Sequence, residues 1–158
     1  MVDTTTLPVR PKTFAELTEL IGCELGPTGW HEVTQGLVNA FADVTGDHQW
    51  IHVDPERAAA SPFGTTIAHG LYSLALGPAM SAELLALDGF THSLNYGYNK
   101  VRFPGPVPVG SRIRLRATIV SVEQVAGGIQ IVLRQVVECE GSEKPVVVAE
   151  SVARVVEA

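Results

Sequence analysis

From Thr13 the apolar residues Phe14, Leu17, Leu20 and Ile21 recur on one side at helical spacing, and Thr13 carries a capping hydroxyl. The pattern predicts a first helix ending near Ile21. Gly22, Gly26, Pro27 and Gly29 break it, and the alternation over Trp30–Thr34 predicts a first strand. Thr34 is the next cap. Leu37, Val38, Phe41, Ala42 and Val44 repeat at helical spacing up to Gly46, which suits a helix stop. Pro55 fits the first turn of a short helix over Glu56–Ala60, and residues 61–64 read as a turn. From Gly70 to Leu87, Leu71, Leu74, Ala75, Ala79, Met80, Leu84 and Leu85 put apolar groups on most sides. That predicts a long central helix buried all round, kinked or split at Gly77-Pro78.

After Asp88-Gly89 the period changes. Leu94–Phe103, Arg112–Val125, Ile129–Glu140 and Val146–Val156 are rich in Val, Ile and Arg with partial alternation, and turn residues separate them. A helical first half followed by a meander is an α+β layout. One apolar helix beside such a meander predicts an antiparallel curved β-sheet wrapped around a long central helix. Residues 1–12, with three threonines and two prolines, read as a flexible N-terminal arm, and residues 13–158 as a single domain. No internal repeat or linker interrupts it.

Composition narrows the partners. The chain has 158 residues, 46% of them hydrophobic and 18% charged, which suits one globular domain with a core. A net charge of −6 argues against nucleic acid as a partner. No apolar run is long enough to span a bilayer, so no membrane is expected. Cys23 and Cys139 match no metal or redox spacing, and Met1–Arg10 does not read as a signal peptide. A reduced, cytoplasmic setting is the expectation.

The candidate chemistry is concentrated in residues 41–70, which hold Asp43, Asp47, His48, His52 and His69. Asp47 and His52 bracket a five-residue step. A carboxylate and an imidazole that close together can converge on one water or proton. The stretch Phe41…Thr45-Gly46-Asp47-His48-Gln49-Trp50-Ile51-His52, followed by His69-Gly70 at a helix start, resembles the hydratase-2 signature of the MaoC-like dehydratases, the R-specific enoyl-CoA hydratases. Asp and His fall at the family's spacing. Gln49 and Trp50 stand where the family usually has Asn and Pro, and Pro78 stands where many members carry a serine.

The resemblance implies the hot-dog fold, a homodimer, and hydration of trans-2-enoyl-CoA to the (R)-3-hydroxyacyl product. No cofactor is implied beyond the coenzyme A of the substrate, and no metal. Asp47 and His52 would hold the water, His52 acting as base, and the Gly70 N–H would face the thioester oxygen. Gln49 and Trp50 would flank the substrate entrance. Trp50, Phe63, Tyr72 and Phe90 are candidates for an acyl channel, or for ordinary core. Asn95 and Asn99, four apart on a strand, would share a face and meet a pantetheine amide or the backbone. Lys100 and Arg102, with Arg112, Arg114 and Arg116, would seat a coenzyme A phosphate or form a solvated outer face. His69 reads as a locally satisfied histidine, His48 as a solvated loop residue, and His31 and His92 as strand-edge residues. Three rival readings remain: a hot-dog thioesterase, a non-catalytic acyl-CoA binding module, and a structural subunit of a larger assembly.

Overall fold

The computed structural model describes residues 2–158. Helix α1 covers Phe14–Glu19, and the Thr13 side chain accepts from the Glu16 N–H as its cap. Helix α2, Gln35–Thr45, is capped by Thr34 and ends at Gly46, whose φ of 77° lies in the left-handed region. Its apolar stripe is narrower than the sequence suggests. Val38 and Ala42 are buried, whereas Leu37 is exposed and Val44 is 86% exposed.

Two short helices follow, α3 over Trp50–Val53 and α4 over Pro55–Ala59. The central helix is split at the anticipated place. Helix α5, Gly70–Ala75, ends on Leu76, which also opens α6, Gly77–Ala82, with Pro78 in the first turn of α6. A proline ring there cannot continue the α5 hydrogen-bond ladder. The pair is not buried all round: Tyr72, Ser73, Gly77 and Met80 face inward, while Leu71 is 60% exposed.

All six strands form one antiparallel sheet. Short strands β1 (Glu24–Leu25) and β2 (His31–Glu32) both pair with β4 (Arg112–Val125). The remaining order runs from β4 through β5 (Gly128–Cys139) and β6 (Val147–Glu157) to β3 (Phe90–Arg102) at the edge. β1 was not legible in the sequence, where its two residues are flanked by breakers. The inner faces of β4, β5 and β6 supply Ile113, Leu115, Ile119, Ile131, Val137, Ala149 and Val155 to the core, against Met80 from α6 and Leu84 just beyond it. This is a hot-dog arrangement, with a curved antiparallel sheet and the two-piece helix against its inner side.

The arm over residues 1–12 is tied down at its far end, in contrast to the expectation of a loose segment; Met1 lies outside the described residues. Val9 is buried, donates to the Leu84 carbonyl (2.8 Å) and accepts from Ala86 N–H (2.9 Å).

Two glycines carry the geometry for different reasons. A Cβ on Gly46 would meet nothing within 4 Å, so only its backbone conformation requires glycine. A Cβ on Gly128 would overlap the Val155 carbonyl oxygen on the neighbouring strand. Gly46→Ala should therefore cost about 1 kcal/mol, the strain of a left-handed alanine. Gly128→Ala should cost more, because β5 and β6 must part. Urea denaturation of both variants measures the difference, and equal midpoints would contradict it.

Candidate active site

Asp47 follows the Gly46 stop of α2, and His52 lies on the one-turn helix α3. The pair is unevenly exposed. His52 is 7% exposed, whereas the Asp47 side chain is 54% exposed. Burial demands a partner for a ring N–H. The His52 Nδ1–H finds one in the Ile67 carbonyl oxygen at 2.7 Å. That bond places the proton of the neutral ring on Nδ1 and leaves the Nε2 lone pair open.

His69, the residue before α5, packs directly on this ring. The two imidazoles are stacked, with centroids 3.8 Å apart and planes 24° from parallel. The His69 Nε2–H donates to the Asp47 backbone carbonyl at 2.9 Å, and Nε2 lies 4.0 Å from Asp47 Oδ2. One donor atom from each of Asp47, His52 and His69 falls within 4.8 Å of the others. A carboxylate with two imidazoles is a familiar cation-binding set. Here, however, His69 spends Nε2 as a hydrogen-bond donor and His52 spends Nδ1 in the same way. Groups this close can also share a water: two hydrogen bonds of about 2.8 Å meeting at a tetrahedral oxygen span roughly 4.6 Å. Two buried polar atoms nearby, His69 Nδ1 and Ser73 Oγ, have no partner among the described residues.

Gly70 opens α5 on the same segment, and its N–H makes no hydrogen bond among the described residues. A Cβ at this position would come within 2.9 Å of the Phe103 ring. Sequence reasoning missed Phe103, an exposed aromatic just past β3 with no motif around it. It also missed Gln35 on α2. The Gln35 side chain donates to the His52 carbonyl at 2.7 Å, and Gln35 Oε1 accepts from the Thr66 hydroxyl.

The other anticipated residues scatter. Gln49 is exposed beside Asp47, and its N–H lies 3.4 Å from Asp47 Oδ1. Trp50 lies under the Arg57 guanidinium at 4.4 Å. Phe63 is exposed, Tyr72 is buried edge-on against Phe41, and Phe90 belongs to the core. None of these four aromatics lines the apolar-walled cavity of about 390 Å³ between α6 and the sheet. Its walls include Pro78, Ser81, Leu85, Asn95, Tyr98 and Gln135. Asn95 and Asn99 do not share a face. β3 shifts register against β6 between Asn95 and Gly97 and again between Tyr98 and Lys100, which resets the alternation. Asn95 lines the cavity, and Asn99 donates to Glu150 at 2.7 Å.

The arginine cluster is neutralised. Arg112 is held by Glu140, and Arg114 and Arg116 share Glu138, with Trp30 4.4 Å from the Arg114 guanidinium. Those three side chains form an ion-pair network on the outer sheet face and offer no open phosphate seat. Lys100 is exposed, and Arg102 donates to the Val101 carbonyl at 2.7 Å, next in the chain to Phe103. Among the other histidines, His48 pairs with Asp43 at 2.8 Å and His31 with Glu83 at 2.6 Å.

Comparison with known proteins decides the family. The family model described as MaoC like domain matches residues 16–140. The chain belongs to the MaoC-like dehydratase family. It is 53% identical over 146 residues to 3-hydroxyacyl-thioester dehydratase Z of Mycobacterium tuberculosis, covering 92% of this chain and 97% of that one. It is 40% identical to Nodulation protein N of Rhizobium meliloti, with 89% of each covered. Among solved structures, the unliganded R-hydratase PhaJ1 of Pseudomonas aeruginosa superposes with a TM-score of 0.74 at 26% identity, over 93% of this chain and 87% of that one. No helix among the described residues of this MaoC-like chain is long and apolar enough to cross a membrane.

His52 on α3 and His48 in the loop before it should titrate on opposite sides of the ordinary imidazole value of about 6.5. Burial is the largest influence on His52 and lowers its pKa; the Ile67 bond raises it in part, neighbouring His69 lowers it further, and Asp47 opposes. The Asp43 hydrogen bond is the main cause that raises His48. Because the unfolded chain binds the His52 proton more readily, the stability from His52 is complete above roughly pH 6.5. It is lost as the pH falls from there through the lower, folded value. NMR titration should show the imidazole carbons of His52 moving below pH 6.5 and those of His48 above it. Asp43→Asn should bring His48 down without moving His52.

Proposed function

We propose that this protein hydrates trans-2-enoyl-CoA to (R)-3-hydroxyacyl-CoA, and catalyses the reverse dehydration, with Asp47 and His52 as its catalytic pair. The family and the 53% identical relative, which is named a 3-hydroxyacyl-thioester dehydratase, support a hydro-lyase acting on such thioesters. The observation that carries the finer reading is the state of His52. The Ile67 carbonyl holds its Nδ1–H, which leaves Nε2 free to accept a hydrogen bond, and one ring nitrogen of His52 lies within 4.8 Å of an Asp47 carboxylate oxygen.

The chemistry follows from those positions. Asp47 accepts one hydrogen bond from the water and His52 Nε2 accepts the other. His52 takes a proton as the water oxygen bonds to C3, and the C2–C3 π pair moves to C2 and the thioester oxygen. The free Gly70 N–H donates to that oxygen. α5 has only six residues, so this contribution comes from the N–H itself far more than from a helix dipole. The proton that His52 took from the water is then returned to C2 on the side that carries the dyad, so that the net reaction adds one water and His52 ends neutral. Water and thioester suffice, with no further cofactor. The apolar-walled cavity beside α6 suits the acyl chain.

The working unit in this reading is a homodimer. β3 is an edge strand of 13 residues that leaves Leu94 57% and Tyr96 60% exposed, a surface that a second copy would cover. Light scattering of the purified protein tests that mass directly.

Crotonyl-CoA hydration, followed by loss of enoyl absorbance, tests the reaction. Asp47→Asn and His52→Ala should each lower kcat by about 100-fold or more with the thermal midpoint nearly kept. Since both act on one water, the double variant should lose little beyond the worse single one. Activity should fall on acidification through the depressed His52 value, placing the acid limb below roughly pH 6.5. Near-normal turnover in either single variant would remove the dyad assignment, and release of free thiol would make the protein a thioesterase.

A further inference from the structure

We propose that His69 is a positioning residue for the dyad, acting through two separate contacts: its Nε2–H fixes the Asp47 backbone, and its ring forms the floor on which the His52 imidazole lies. This inference rests on the Asp47/His52 reaction proposed above.

The geometry gives each contact its own effect. Asp47 lies in an exposed loop between Gly46 and α3, with a half-exposed side chain. Its side-chain and amide contacts there are long, 3.4 Å from Oδ1 to Gln49 N and 3.4 Å from its own N–H to Thr45. The bond of 2.9 Å from buried His69 to the Asp47 carbonyl is the short, shielded one. It sets where the carboxylate starts from. The second contact is the ring stack at 3.8 Å, which blocks rotation of His52 toward α5 and keeps solvent off that face. Phe41 packs on His69 at 5.0 Å, so the floor is itself supported from α2.

His69 does not act as the base in this account. Its Nε2 is committed to a carbonyl, and its Nδ1 is buried without a partner among the described residues. A proton on Nδ1 would have no acceptor there. The titratable groups acting on His52 are His69, before α5, and Asp47, after α2. α2 reaches the pair through Gln35 and Phe41, which do not titrate, and Asp43 and His48 are paired with each other at the surface.

Two variants separate the contacts. His69→Phe keeps a buried ring and loses the donor. Its kcat should fall about 10- to 100-fold with KM within about twofold, as expected when a reacting group is misplaced by a fraction of an ångström to an ångström. His69→Gln keeps an N–H donor and loses the ring, and should retain more kcat than His69→Phe. If His69 were only packing, both variants would lose thermal stability with wild-type kcat, and that result overturns the proposal. Nitrogen-15 NMR of the wild-type protein gives a measurement that needs neither variant nor substrate. It should find His69 protonated on Nε2 and His52 on Nδ1. The opposite tautomer at His69 overturns the proposal even if the variants fail to fold. A protein with these tautomers that hydrates no enoyl thioester would refute the reaction while leaving the two contacts in place.

Discussion

Two buried imidazoles each need a partner for a ring N–H, and each takes a backbone carbonyl from the segment that carries the other. His52 donates to Ile67, two residues before His69, and His69 donates to Asp47, five residues before His52. The Ile67 N–H closes the clasp by donating to the Ile51 carbonyl at 3.0 Å. Residues 47–52 and 67–69 are thus bound by three hydrogen bonds, two of them through side chains that also stack. Leaving either ring N–H unpaired would cost about 1–3 kcal/mol in a buried setting. The constraint works in both directions, because neither segment can move without breaking the other's bond.

The clasp is anchored to the rest of the fold from both sides. Ala68 donates to Val107 and Val109 to Thr66, at 2.8 Å each, which joins the segment to the loop between β3 and β4. From α2, Gln35 bridges the His52 carbonyl and the Thr66 hydroxyl. A glutamine in the first turn of a helix is usually solvated. This one faces the site because the Thr34 cap fixes where α2 begins, and Gly46 fixes where it ends and releases Asp47. Local capping chemistry therefore decides a tertiary position two elements away.

That dependence explains what the sequence disclosed. Helix ends were legible because caps act within a turn: Thr13, Thr34, Gly46 and Pro78 each stand where local physics demands. The Asp47/His52 spacing was legible because both groups sit within one turn of chain, and the family resemblance gave that spacing a meaning. The bonds from His69 to Asp47 and from Gln35 to His52 and Thr66 were not, since they cross 22, 17 and 31 residues. The placement of Asn95 and Asn99 failed for a different reason. Counting by twos assumes an unbroken pleat, and two register shifts in β3 leave no composition signal. The arginines at 112, 114 and 116 share a face, but their partners Glu138, on the next strand, and Glu140, just past its end, are set by a register that the sequence alone does not give.

The uneven burial of Asp47 and His52 has a chemical logic. A carboxylate left half in water keeps its oxygens open to hydrogen bonds from solvent or substrate water. An imidazole taken out of water is held neutral, because desolvation penalises its charged form. Reversing the two environments would raise the carboxylate's proton affinity and let the histidine charge, removing the base. Burial weakens the intrinsic basicity of His52, so it lowers the driving force for each proton transfer while raising the fraction of molecules ready to accept one. Near pH 7 an unperturbed imidazole is already mostly neutral, so little readiness is gained there; the larger gain comes at mildly acidic pH. The carboxylate beside it offsets the cost in basicity by favouring the imidazolium once the proton has arrived. The two groups therefore need to be close to one another and unequally wet, which a shared buried pocket would not provide and a clasped surface loop does.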